Sequence, residues 1–177
     1  MIVLMAGLPG TGKTTLARAL AGRTGGRVLS KDEFRHALFA PEEIEYSPRQ
    51  DDFCLQLMME TAGYLLLRNH AKIIFLDGRS FSRRYQIENV IAAADCLHQP
   101  WRILECVCAD EAIRRRLEAD ADRGSHPADN RGYPLYLEVK ARFETILYPK
   151  TVINMDRPLA WCVDRALATL PTAKPNS

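Results

Sequence analysis

Residues 7–14 read Gly-Leu-Pro-Gly-Thr-Gly-Lys-Thr and satisfy the spacing Gly-x4-Gly-Lys-Thr, which is the pattern of a phosphate-cradling loop. The glycines let the backbone wrap until its N–H groups point inward and form an anion nest. A helix starting near Lys13 adds free N–H donors and the positive end of its dipole. Gly7, Leu8, Pro9, Gly10, Thr11, Gly12, Lys13, Thr14 and Thr15 are therefore the residues expected around the phosphates of ATP. Lys13 places a point charge between the β- and γ-phosphates, and the Thr14 hydroxyl is the expected Mg2+ ligand. The glycines run GxxGxG and not GxGxxG, so a dinucleotide-binding loop is excluded.

A phosphate loop needs a second acid at the end of a neighbouring strand. Ile73-Ile74-Phe75-Leu76-Asp77 supplies one, and Asp77 is expected beside the metal, directly or through its waters. Service as a turn or helix cap is the alternative role for this aspartate. Gly78 follows Asp77 where hydrolytic ATPases often carry another acid, which favours transfer to an acceptor over plain hydrolysis. No Asn-Lys-x-Asp guanine-reading motif occurs late in the chain.

Asp32 and Arg35 are three residues apart and share one face of a helical turn. Strand ends in an α/β sheet converge on one crevice, so Asp32 is expected near the γ-phosphate as general base for an acceptor hydroxyl. Arg35 could hold an anionic group on that acceptor. The plainer alternative makes Asp32 an N-cap paired with Arg35. Further along, Arg114-Arg115-Arg116 and then Arg123 form an arginine cluster beside the Gly- and Pro-bearing stretch 122–134. A mobile segment of this kind suits a lid over ATP, spanning about 114–134. Arg116 and Arg123 are the expected transition-state arginines, with Arg131 in reserve.

The elements that must position these residues alternate along the chain, which implies a sheet covered on both faces by helices. Strands are expected at Ile2 to Ala6, Arg27 to Ser30, Lys72 to Leu76, Trp101 to Cys108 and Thr151 to Met155. Helices are expected from about Lys13 to Gly22, from Asp32 (itself a candidate cap) to before Pro41, and, after a loop around Tyr46–Pro48, to about Asn69. Others run from Ser82 to Leu97, from Asp110, from Tyr136 to Leu147 and from Pro158 to Leu170, with a frayed tail from Pro171. No repeat or linker divides residues 1–177, so one domain is expected.

With 177 residues the chain can bury roughly 70% of its unfolded surface, and its net charge of +2 gives no bulk field toward nucleic acid or membrane. Five cysteines without CxxC or zinc-ribbon spacing point to a reducing cytosol. Cys106 and Cys108 fall on one face of a strand and are expected to line the core. Six apolar residues before Gly7 are too few for a secretory signal, and no run reaches the roughly 20 of a membrane span. The expected location is the cytoplasm, and no feature calls for an obligate protein partner.

GLPGTGKTT, SKDEFR, FLDGRSFSRR and the arginine-bearing segment, in that order, resemble the small P-loop kinases of the zeta-toxin, chloramphenicol-phosphotransferase and polynucleotide 5′-kinase type, predicted kinases of the AAA-domain kind. The resemblance spans nearly the whole chain. It implies a three-layer α/β/α sandwich with a parallel five-stranded sheet in order 2-3-1-4-5, a helical lid, ATP with Mg2+, and transfer to a hydroxyl. By the same resemblance Asp32 is the general base, Arg35 grips the acceptor phosphate, Asp77 is the second acid, and Arg79 and Arg83 lie on the acceptor side. One departure stands out: such lids often carry two arginines four apart, whereas Asp120 follows Arg116 at that distance.

The leading expectation is an ATP-dependent kinase acting on a hydroxyl of a small molecule or of a nucleic-acid 5′ end. Arg35, Arg79, Arg83 and Arg84 could track a short phosphate backbone or bind one sugar phosphate. The alternatives are a nucleotide-binding regulatory module and a simple ATPase, neither with an acceptor.

Overall fold

The computed structural model describes residues 1–123 and 132–170, with side chains described outside 120–131. Five strands, β1 (Ile2–Ala6), β2 (Arg27–Ser30), β3 (Ile74–Asp77), β4 (Trp101–Val107) and β5 (Thr151–Asn154), form one parallel sheet in order β2-β3-β1-β4-β5. Every residue of β1 is buried, as a strand covered on both faces requires. Alternation along β1 then divides the core. Val3 and Met5 pack with Leu16, Leu20, Val163 and Ala166 from helices α1 (Lys13–Thr24) and α7 (Leu159–Leu167). Ile2 and Leu4 pack with Met58, Leu66, Ile87 and Val90 from α3 (Pro48–Arg68) and α4 (Arg84–Cys96). Burying each valine, leucine, isoleucine or methionine of this set stabilises the fold by about 1.5–3 kcal/mol.

Local chemistry sets the helix ends. Ser47 caps α3 by accepting from the Gln50 N–H at 3.2 Å, and Pro48 pre-sets the first turn. Ser30, not Asp32, caps α2 (Lys31–Leu38), its hydroxyl accepting from the Glu33 N–H at 3.5 Å. Asp32 therefore keeps its carboxylate for other partners. The next helix starts at Arg84 instead of Ser82. No oxygen-bearing side chain at Arg83 can cap it, and the Glu144 carboxylate does so from a distant segment, accepting from the Arg84 N–H at 2.7 Å.

The stretch after the arginine cluster departs most from expectation. Helix α5 (Asp110–Arg123) is followed by α6 (Tyr133–Ala141), where helix was expected from Tyr136 to Leu147. Pro134 in the first turn starts α6 earlier. Beyond Ala141 the chain leaves the helix, and the Glu144 N–H donates to the Ser82 carbonyl at 2.9 Å. Ile146 is buried with the α4 side of the core, and Tyr148 packs against it. The expected mobile segment falls at residues 124–131 in its central part, and the expected frayed tail at 171–177; both lie outside the described residues.

Strand register brings the loops of interest together. Ser30 lies opposite Asp77 at the carboxyl ends of β2 and β3, so the start of α2 stands beside the second acid. Leu4 lies opposite Leu76, and the loops beyond β1 and β3 are joined where the Gly7 N–H donates to the Ser80 carbonyl at 3.1 Å. That edge of the sheet is where open α/β folds bind ligands.

Candidate active site

The phosphate loop is held by contacts that its sequence makes possible. Gly7 has φ 128, and a Cβ there would overlap the carbonyl oxygen of Cys106 in β4. Gly10, at φ 79, lies under Ile113 and Leu117 of α5. Gly12, at φ 89, is the residue from which α1 departs. Three left-handed glycines thus bend the chain tightly enough for its amides to converge. The Thr11 hydroxyl donates to the Leu8 carbonyl at 2.8 Å and braces the bend. The buried Lys13 ammonium lies over the loop, donating to the carbonyls of Gly7 at 2.8 Å and Leu8 at 2.7 Å.

Lys13 and Thr14 open into a cleft of about 410 Å³, which also receives Asp32, Arg35, Asp77, Arg79 and Arg83. The structure therefore gathers the expected donor-side and acceptor-side residues around one space. Leu8, Gly10 and Thr11 form the loop behind it, and the side chain of Thr15 is exposed on α1. Asp77 is 1% exposed, and its Oδ1 has no hydrogen-bond partner among the described residues. Such an orphaned carboxylate oxygen is costly unless a cation or ordered water meets it. With the Thr14 hydroxyl on the same cleft, the donor set is all oxygen, as Mg2+ prefers, and Mg2+ commonly takes only one or two protein ligands. The residues present fit that ion.

Asp32 sits in a network that the sequence does not reveal. Arg35 donates from Nη1 to Asp32 Oδ1 at 2.8 Å and from Nη2 to Asp51 Oδ1. The Lys31 ammonium donates to the same Asp51 oxygen at 2.7 Å and stands 3.4 Å from Asp32. The Tyr46 ring covers the guanidinium, with its centroid 4.9 Å from Cζ. Arg35 is 1% exposed, so these partners fix both the arginine and the carboxylate it holds. Arg79, likewise buried, pairs with Asp52 at 2.6 Å, and Tyr85 donates to Asp52 Oδ2 at 3.1 Å. Arg83 lies at the rim, paired with Glu144 at 3.1 Å.

Sequence reasoning missed Lys31, Asp51, Asp52, Tyr46 and Tyr85. Lys31 stands directly before Asp32, and the signal for Asp51 and Asp52 was a pair of acids in the first turns of α3, which also reads as a favourable helix start.

The arginine cluster divides. Arg114 forms a surface pair with Glu118 at 2.8 Å, and Arg115 is exposed. Arg116 instead turns inward and donates to the Met155 carbonyl at 2.9 Å, near Gly12 of the phosphate loop. Arg123 ends α5, but its side chain, and all of Arg131, lie outside the described residues. Cys106 belongs to the core as expected, and burial pushes its thiol up to about 12. Cys108 lies beyond β4 and is half-buried, donating to Asp156 at 2.9 Å. Burial and then that bond push its thiol up to about 11.

A five-stranded parallel sheet in this order, with a phosphate loop after β1 and a buried acid ending β3, defines the small P-loop kinase fold. Solved structures share it at low sequence identity, three of which illustrate the range. A candidate kinase from Chloroflexus aurantiacus J-10-fl superposes with a TM-score of 0.74 at 19% identity, covering 96% of this chain and 98% of that one. An APS kinase from Mycobacterium tuberculosis, in complex with AMPPNP and APS, gives 0.66 at 15% identity over 94% and 95% of the two chains. A gluconokinase from Sinorhizobium meliloti 1021 gives 0.63 at 18% identity over 94% and 89%. No curated protein matches the chain in sequence. The family described as AAA domain matches residues 2–132, and the chain belongs to that family.

Proposed function

We propose that the protein is an ATP-dependent kinase that transfers the γ-phosphate to a hydroxyl of a small molecule or of a nucleic-acid 5′ end. The observation that carries this reading is the placement of Asp32 on the same cleft as Lys13, Thr14 and Asp77. A carboxylate held there by Arg35 is oriented to take a proton, and neither ATP binding nor hydrolysis requires an acceptor base at that position.

In this mechanism the amides of residues 7–14 and Lys13 hold the β- and γ-phosphates in the low-dielectric loop. The acceptor hydroxyl lies against Asp32, which receives its proton as the oxygen bonds to the γ-phosphorus. The bond from phosphorus to the β–γ bridging oxygen breaks, and that oxygen leaves with ADP. Thr14 and Asp77 would hold Mg2+, which would supply neutralising charge to the transferring phosphates. Arg116 supplies positive charge beside Gly12, and Arg123 is the second lid arginine in this reading, with 114–134 closing over the nucleotide. The structural relatives support the fold of such an enzyme, and the APS kinase was solved with a nucleotide analogue. No helix among the described residues is long and apolar enough to cross a membrane. Five free thiols suit a reducing cytoplasm.

The test is transfer of label from γ-labelled ATP with Mg2+ to a panel of hydroxyl compounds, with Asp32→Asn alongside the wild type. Label should appear on an acceptor with the wild type alone, while both proteins bind ATP. Acceptor-independent release of phosphate, with no labelled compound, would instead establish an ATPase.

A further inference from the structure

The acceptor half of the cleft contains basic residues whose charge the fold has already used. Lys31, Arg35 and Arg79 are 7%, 1% and 5% exposed. Their carboxylate partners are Asp51 for Lys31 at 2.7 Å, Asp32 and Asp51 for Arg35, and Asp52 for Arg79 at 2.6 Å. At the rim the pattern repeats. Arg83 faces Glu144 at 3.1 Å, and Arg142 of the segment after α6 faces Glu138 at 2.7 Å. Among the described residues, each cation lining this half therefore has a carboxylate of its own chain in ion-pair contact.

This arrangement is poorly matched to an anionic acceptor. A phosphate arriving at Arg35 would have to compete with Asp32 and Asp51. Removing one partner from a buried pair leaves an uncompensated charge, which is far costlier than the pair itself. Adding a dianion to a charge-balanced, partly buried site meets the same obstacle without any rearrangement. Hydroxyl groups meet no such barrier. They donate to carboxylate oxygens without displacing the cations. Arg79 also retains Nε and Nη1 without acceptors among the described residues, and with its charge offset by Asp52 it is suited to a neutral oxygen. Tyr46, Tyr85 and Val139 supply apolar wall to the same cleft, as the carbon faces of a polyol require.

We infer that the acceptor is an uncharged, hydroxyl-rich small molecule of the sugar or polyol class, recognised through the Asp32–Arg35–Asp51 and Arg79–Asp52 pairs, and not a phosphorylated compound or a nucleic-acid end. The inference rests on the kinase reading for the role of this half of the cleft. It departs from the family-based expectation that Arg35 grips an acceptor phosphate.

The experiment pairs each uncharged compound with its own monophosphate: hexoses, pentoses, linear polyols and nucleosides, together with a 5′-hydroxyl oligonucleotide. Transfer from γ-labelled ATP is measured for each, and binding of each is measured by calorimetry to the protein loaded with Mg2+ and a non-hydrolysable ATP analogue. At least one uncharged compound should exceed its monophosphate by about tenfold or more in kcat/KM, a loss equivalent to one strong polar contact. Its KM should change little as salt is raised, because no ionic contact to the acceptor is screened. Asp52→Asn, which frees Arg79, should shift the ratio toward the monophosphate by about tenfold.

Better transfer to a monophosphate or to the oligonucleotide, or a steep loss of acceptor affinity with salt, overturns the inference while leaving the kinase reading intact. Binding of uncharged compounds without labelling of any compound overturns the kinase reading and supports the recognition chemistry. Failure of every uncharged compound both to bind and to be labelled overturns the inference.

Discussion

Arg35 donates to Asp32 at 2.8 Å from a guanidinium that is 1% exposed and is held on its other side by Asp51. Asp32 is thereby fixed at the carboxyl end of the sheet, one short turn beyond the Ser30–Asp77 register pair. Its capping alternative is removed by Ser30. The carboxylate lines the cleft, and this relationship yields the first expectation.

Asp32→Asn should lower phosphoryl transfer by about 10²–10⁴-fold, the range of a positioned general base. ATP affinity should change little, because the substitution leaves residues 7–14 intact. Single-turnover transfer and equilibrium nucleotide binding separate the two. Full activity in the variant would remove Asp32 from the proposed mechanism.

Two glycines of the same region should respond in opposite directions. Gly7→Ala places a side chain at φ 128 and against the Cys106 carbonyl, and should destabilise the protein by at least about 1–3 kcal/mol. Gly22 lies in α1, where an added Cβ meets nothing within 4 Å. Gly22→Ala should stabilise by about 0.4–1 kcal/mol through helix propensity and unfolded-state entropy. Urea unfolding curves of the two variants check the contrast.

Thiol reactivity should single out one cysteine. Cys54, Cys106 and Cys162 are buried, and Cys96 is exposed. Cys108 is partly accessible, but its thiol is pushed up to about 11 by burial and by the bond to Asp156, so little thiolate forms near neutral pH. A disulfide reagent at about pH 8 should titrate one fast thiol in the native protein, and Cys96→Ser should abolish it. Loss of the fast phase in Cys108→Ser instead would contradict the environment described for that residue.

Glu144 should make stability depend on pH in acid. The Arg84 N–H and then Arg83 hold its carboxyl below the ordinary value of 4.5. A depressed carboxyl contributes stability above its unfolded value, and that contribution is lost as pH falls through the folded value. Glu144→Gln should therefore unfold at lower temperature than the wild type at neutral pH, and the difference should shrink below about pH 4. Melting curves over that range test the sign. A difference that grows toward acid would contradict it.

The sequence by itself determined the parts that are written in contiguous residues. The phosphate loop, the apolar strand leading into it, the acid closing β3 and the alternation of strands and helices all depend on local spacing, and backbone geometry converts such spacing directly into structure. The element boundaries that shifted were those decided elsewhere in the chain. Glu144 caps α4 from 60 residues away, and Pro134 with the Glu144–Ser82 bond redraws the segment around α6. The same is true of the acceptor side. Arg35 was visible as a cation near Asp32, but Asp51 lies 16 residues from it, on a helix whose docking is set by core packing. Sequence spacing could nominate charged residues; only the tertiary structure decided which of them were already neutralised, because ion pairing depends on distances of a few ångströms between elements that the chain order leaves far apart.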